Sequence, residues 1–211
     1  MGGWAEGLVW YAAYGSNMSA ERLGHYLRGG CPPGGGIVHP GCRDPSPPLR
    51  TRPVMLPGVL YFATESHVWS GGRAFLDPEV SGRAPAVAHL LTVGQFSDVA
   101  AQEMGRPPGR DLDLAALLGA TGRAVLGPGR YETLVSAGEH DGIPMVTFTA
   151  PWRLGDVPGN APAAAYLRML GSGLMAGHGR SAEEAAAYLA GRPGAAGHWT
   201  AEAVRQLLAQ D

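Results

Sequence analysis

The chain places strong limits on its own fold near the N-terminus. Residues 8–14 (Leu-Val-Trp-Tyr-Ala-Ala-Tyr) form an unbroken apolar run that stops at Gly15. A run of this length bounded by glycine reads as a buried strand. Ser16, Asn17, Met18 and Ser19 follow, and 21–27 reads as a short helix capped by Ser19 and ended by Gly29-Gly30. A strand that turns abruptly into a helix converges backbone N–H groups on one point, where a carboxylate or a developing oxyanion is held. Gly15 permits close approach of the backbone, and Ser16 and Asn17 add polar contacts. The same residues also read as a plain strand-to-helix turn with Ser or Asn as the cap.

Composition narrows the chemistry further. All 16 basic residues are Arg, so a Schiff-base lysine, a Walker-type phosphate loop and a Ser-Lys nucleophile pair are excluded. The 33 Gly and 18 Pro are about double average usage, while 45% hydrophobic residues and five Trp predict an ordered core with long irregular loops. A formal charge of −2 gives no case for nucleic acid. Residues 1–7 lack a basic n-region, and no apolar run approaches a membrane span. The expectation is a cytoplasmic protein without a signal peptide, membrane association or disulfide framework.

Along the chain, 29–57 is dense in Gly, Pro and Arg and reads as a long connection, functional or mobile. Strands are predicted at 59–64, 73–76 and 86–93. Helices are predicted at 97–104, capped by Ser97 and followed by Gly105, and at 112–118, capped by Asp111. Residues 131–137 and 143–150 form a hairpin around Glu139-His140-Asp141-Gly142. A helix runs from Asn160 and Pro162 to about 176. Ser181 and Glu184 make a capping box for 182–190, and Thr200 caps a last helix to 209. Strands and short helices mixed without βαβ alternation, followed by three helices, indicate an α+β fold or a small mixed barrel with a helical C-terminal part.

No Gly-x-Ser-x-Gly, His-Glu-x-x-His, Cys-x-x-Cys or Gly-x-Gly-x-x-Gly motif is present. Cys31, His39 and Cys42 lack zinc-site spacing and a fourth ligand, so no metal is expected. Glu103 stands out instead. It sits near the carbonyl end of its predicted helix, between Gln102 and Met104. Helix carbonyls and burial both favour a protonated carboxyl, which suits a general base near neutral pH. An exposed surface glutamate is the plainer alternative.

Together these segments resemble the gamma-glutamylcyclotransferase-like family, which includes the AIG2-like proteins. Its first strand runs into Tyr-Gly-Ser-Asn-(Met/Leu), here Tyr14-Gly15-Ser16-Asn17-Met18. Its catalytic Glu ends a short helix in a Gln-Glu-Gly-like context, here Gln102-Glu103-Met104-Gly105 with one residue inserted. A Tyr opening a strand is matched by Tyr131, and a Pro-x3-Tyr-x6-Gly helix by Pro162, Tyr166 and Gly173. The resemblance spans about 8–179. It departs from the family in the insertion at 29–57, the long stretch from 103 to 131, and the helices beyond 180.

The resemblance implies a small mixed β-barrel with surrounding helices over 1–179 and a C-terminal helical extension, 180–211, packed on the same domain. It implies release of 5-oxoproline from a small-molecule γ-glutamyl amide, without cofactor or metal. Glu103 would be the general acid/base, and Tyr14, Gly15, Ser16, Asn17, Met18, Tyr131 and Tyr166 would line the substrate. An amidase or acyltransferase on a related substrate, and a binding module without turnover, are the other readings of the same pocket. A further one is a helical interaction platform at 181–211. The sequence leaves the leaving amine and the oligomeric state open.

Overall fold

A computed structural model describes residues 7–32 and 37–210. The elements follow the α+β expectation. Among the described residues there are eight strands: β1 (Leu8–Ala13), β2 (Arg50–Pro57), β3 (Val59–Ala63), β4 (Arg73–Asp77), β5 (Arg83–Thr92), β6 (Arg123–Val125), β7 (Thr133–His140) and β8 (Ile143–Thr149). The helices are α1 (Ala20–Arg28), α2 (Val93–Glu103), α3 (Leu114–Leu118), α4 (Ala164–His178), α5 (Ala182–Ala190) and α6 (Ala201–Leu208), with a 3-10 turn at Ser16–Met18. Six strands pair in the order β2-β5-β1-β8-β7-β6, and β3 and β4 pair separately.

The chain divides into two compact units. The first comprises Met1–Ala13, Glu21–Arg52 and Ala88–Pro151. Here β1 lies parallel to β8, with Trp10 opposite Met145 and Tyr11 opposite Val146. A parallel strand covered on both faces needs a continuous apolar run, which is why 8–14 does not alternate. Val9, Tyr11 and Ala13 join Val146 and Phe148 in a core completed by Leu23, Tyr26 and Leu27 of α1, Phe96 and Val99 of α2, and Leu114 and Leu118 of α3. The β7–β8 hairpin closes through Asp141-Gly142, both at positive φ, the geometry of a type I′ turn.

The second unit comprises Tyr14–Ala20, Pro53–Val87 and Trp152–Asp211. The antiparallel β3–β4 pair places Tyr61 opposite Phe75. Helices α4, α5 and α6 pack on one another, and α4 also packs on the 3-10 turn. The Ser181–Glu184 capping box and the Thr200 cap form as expected.

Four local expectations are corrected. The connection read over 29–57 ends in strand β2 from Arg50. Its Pro53 and Pro57 argue against a strand, but β2 is an edge strand, where missing N–H donors are tolerated. Helix α2 starts at Val93, because Thr92 and Gln95 form a capping box, and Ser97 lies inside the helix with its hydroxyl on the Val93 carbonyl. Asp113, not Asp111, caps α3. Helix α4 starts at Ala164, so Pro162 precedes its first turn. Strand β6, three residues long, was not anticipated. Residues 33–36 of the connection lie outside the described residues.

Candidate active-site residues

In the second unit the 3-10 turn is closed internally. The Met18 N–H donates to the Gly15 carbonyl at 3.0 Å and Ser19 N–H to Ser16 at 3.2 Å. The Met18 amide is therefore spent on the turn, and its side chain is buried against α4, where a Cβ added at Gly173 would lie 2.9 Å from the Met18 Cβ. The Met18 side chain thus packs on α4 beside the turn. Gly15 and Ser16 are half-buried, and Tyr14 and Asn17 are buried. Tyr166 comes to this turn: its hydroxyl would be 3.7 Å from a Cβ at Gly15. That hydroxyl accepts from the Ala74 N–H at 3.4 Å, and the ring stacks on Trp69 at 5.5 Å. The turn and Tyr166 are thus brought together. Trp69, beside them, carried no sequence signal, because it lies in a loop without periodicity.

In the first unit α2 ends at Glu103, and its C-terminus is fixed by a Schellman motif. The Gly105 N–H donates to the Gln102 carbonyl at 3.0 Å and the Arg106 N–H to Ala101 at 2.8 Å. Gly105 has φ +70, which favours glycine.

The half-buried Glu103 carboxylate meets the Tyr26 hydroxyl, a partner that sequence reasoning missed. Tyr26 lies on the buried face of α1, 5% exposed. Burial first, then the charge and hydrogen bond of Glu103, raise its phenol well above the usual range. Around it, Gln102 Nε2 donates to the Tyr26 carbonyl at 3.0 Å, the Cys42 thiol donates to the same carbonyl at 3.3 Å, and the His39 ring lies 3.9 Å from the Tyr26 ring. Burial, then Arg22 and His25, lower the His39 pKa. Burial, then Asp98, push the Cys42 thiol up to about 12.

Tyr131 was expected to open a strand and instead lies in the turn ahead of β7. Its ring meets Phe148 edge-on at 6.3 Å, on the core that Tyr26 joins. The neighbouring Glu132 holds the long stretch after Glu103, accepting from Arg106 at 2.6 Å and from the Gly129 N–H at 2.8 Å. The 29–49 connection is anchored as well. Arg43 bonds the buried Asp98 through its N–H at 2.9 Å and its guanidinium, and Gln95 Nε2 donates to the Ser46 carbonyl at 2.9 Å. Cys31 is exposed, and among the described residues no group of three His, Cys, Asp or Glu converges to hold a metal. No helix among them is long and apolar enough to cross a membrane.

No family model matches the sequence. Histone deacetylase 5 of Arabidopsis thaliana is 36% identical over 198 residues, covering 86% of this chain. The chain spans about 30% of the length of that relative. Among solved structures, a gamma-glutamyl cyclotransferase superposes over 95% of this chain and 98% of its own, with 15% identity and a TM-score of 0.51. An uncharacterized protein from Homo sapiens superposes over 89% and 90%, with 18% identity and a TM-score of 0.52. The chain therefore has the fold of gamma-glutamyl cyclotransferase.

Proposed function

We propose that the protein is a γ-glutamyl cyclotransferase-type enzyme acting on a small γ-glutamyl amide. The observation that carries the reading is the Glu103 carboxylate, half-buried at the Schellman-closed end of α2 and bonded to a buried hydroxyl. A carboxylate held this way suits proton transfer. In the proposed reaction Glu103 takes a proton from the substrate α-ammonium. The freed amine attacks its own γ-carbonyl carbon, a new C–N bond closes the ring, and the amide C–N bond breaks. Glu103 returns that proton to the leaving nitrogen, the second proton of the ring nitrogen passes by the same carboxylate to the departing amine, and 5-oxoproline and an ammonium are released. Ring closure within one molecule needs chiefly a folded pose, so orientation supplies much of the rate. Tyr14, Gly15, Ser16, Asn17, Met18, Tyr131 and Tyr166 are proposed to line the substrate. The fold supports this reading as a family likeness.

We read 1–179 as the catalytic module and 180–211 as its helical extension. The match to part of a much longer relative supports a module that also occurs within larger chains. The activity in that relative's name is not carried over.

The test is a panel of γ-glutamyl compounds scored for 5-oxoproline by chromatography. Wild type is expected to release it, and Glu103→Gln to lose at least about 100-fold in rate with its melting temperature retained. Free glutamate or a new amide as product would instead indicate an amidase or acyltransferase. Binding without product would indicate a binding module. Full activity in the variant would overturn the role of Glu103.

A further inference from the structure

We infer that Tyr26 is a positioning residue for Glu103: its buried hydroxyl donates to the Glu103 carboxylate while the adjacent Gln102 donates to the Tyr26 carbonyl, so one residue of α1 clamps the last turn of α2. The need follows from where Glu103 sits. As the last residue of α2 it lies at the negative end of the helix dipole, which disfavours a carboxylate. An O–H donor offsets that repulsion and fixes one rotamer, since supporting hydrogen bonds are what hold an active carboxylate in place.

The donor is itself well fixed. Tyr26 packs in the core with Phe96 and Val99 of α2, and its ring meets His39. Its carbonyl also takes the Cys42 thiol. The titratable groups around Tyr26 include Arg22 on α1, Tyr11 on β1, and His39 and Cys42 on the 29–49 connection, with His25 of α1 beside His39. Because burial and Glu103 hold the phenol well above its ordinary range, Tyr26 stays a donor throughout the range in which a carboxylate works.

The assignment predicts a readout that a packing role would not give. Tyr26→Phe keeps the ring and removes only the oxygen. Side-chain carboxyl 13C NMR reports the Glu103 titration, with the resonance identified by its loss in Glu103→Gln. In Tyr26→Phe the midpoint is expected to rise by about one pH unit, because the charged form loses a donor. The turnover arm rests on the cyclotransferase reading. There kcat for 5-oxoproline release falls about tenfold, KM stays within about twofold, and the acid limb of the profile moves to higher pH. If the phenylalanine variant does not fold, the reciprocal measurement serves: in Glu103→Gln the Tyr26 phenol, followed by tyrosinate absorbance, titrates at lower pH than in wild type. A Glu103 midpoint unchanged in Tyr26→Phe, or a phenol unmoved in Glu103→Gln, overturns the assignment. A shifted midpoint in a protein that makes no 5-oxoproline supports the clamp and refutes the cyclotransferase reading alone.

Discussion

Replacing Gly173 with Ala tests whether the turn after β1 is held in shape by α4. In an open helix position Ala gains about 1 kcal/mol over Gly. At Gly173 the new Cβ would lie 2.9 Å from the Met18 Cβ. Ordinary carbon contacts lie near 3.5–4.0 Å, so the turn must retreat by roughly 0.5–1 Å. The obstacle is one bond from the backbone, so no rotamer change relieves it. Overpacking of this kind costs about 1–3 kcal/mol, which leaves a net loss of about 0–2 kcal/mol once the propensity gain is counted. The control is Gly24→Ala in α1. There the near atoms belong to the far end of the exposed Arg28 side chain, which swings aside, so about 0.5–1 kcal/mol of stabilisation is expected. Urea denaturation of the three proteins gives the stability order Gly24→Ala, wild type, Gly173→Ala. On the proposed cyclotransferase reading, the displaced turn is expected to raise KM for 5-oxoproline release in Gly173→Ala by about tenfold, about 1.4 kcal/mol. A Gly173→Ala protein as stable as Gly24→Ala and with wild-type KM would refute the idea that close approach of α4 shapes the turn.

Two further outcomes concern the groups around Tyr26. The His39 pKa is lowered in the fold, so below about 6.5 the unfolded chain binds a proton that the folded one resists. Stability therefore falls as pH drops from 7 toward 5, and His39→Phe, which keeps a ring beside Tyr26, flattens that dependence in urea midpoints. A slope unchanged in the variant would count against it. Cys42 is raised to about 12, and its folded form keeps its proton where an unfolded thiol loses it. An aromatic disulfide reagent at pH 8 should therefore label the exposed Cys31 first, and the half-buried Cys42 much more slowly until denaturant is added; equally rapid labelling of both in the native protein would contradict the raised thiol.

The elements that position the site were legible where one local rule decided them. The apolar run of β1, the Asp141-Gly142 turn and the Ser181–Glu184 box each carry their signal within a few residues. Thr92-x-x-Gln95 is the same kind of signal as Ser181-x-x-Glu184, and the expected start of α2 falls four residues late because the apolar run of β5 leads directly into the helix. Strand β2 is different in kind: Pro53 and Pro57 speak against it, and only its place at a sheet edge makes them tolerable. The candidate site divides the same way. The Tyr14–Met18 motif and the Glu103 helix end are contiguous in sequence, and each was visible. The Tyr26–Glu103 pair joins residues on α1 and α2 that no helical spacing relates, and its signal exists only once the two helices share a core. The same argument explains Gly173. As a residue in a helix it reads as a small loss of stability, and its reason is the Met18 Cβ across the turn.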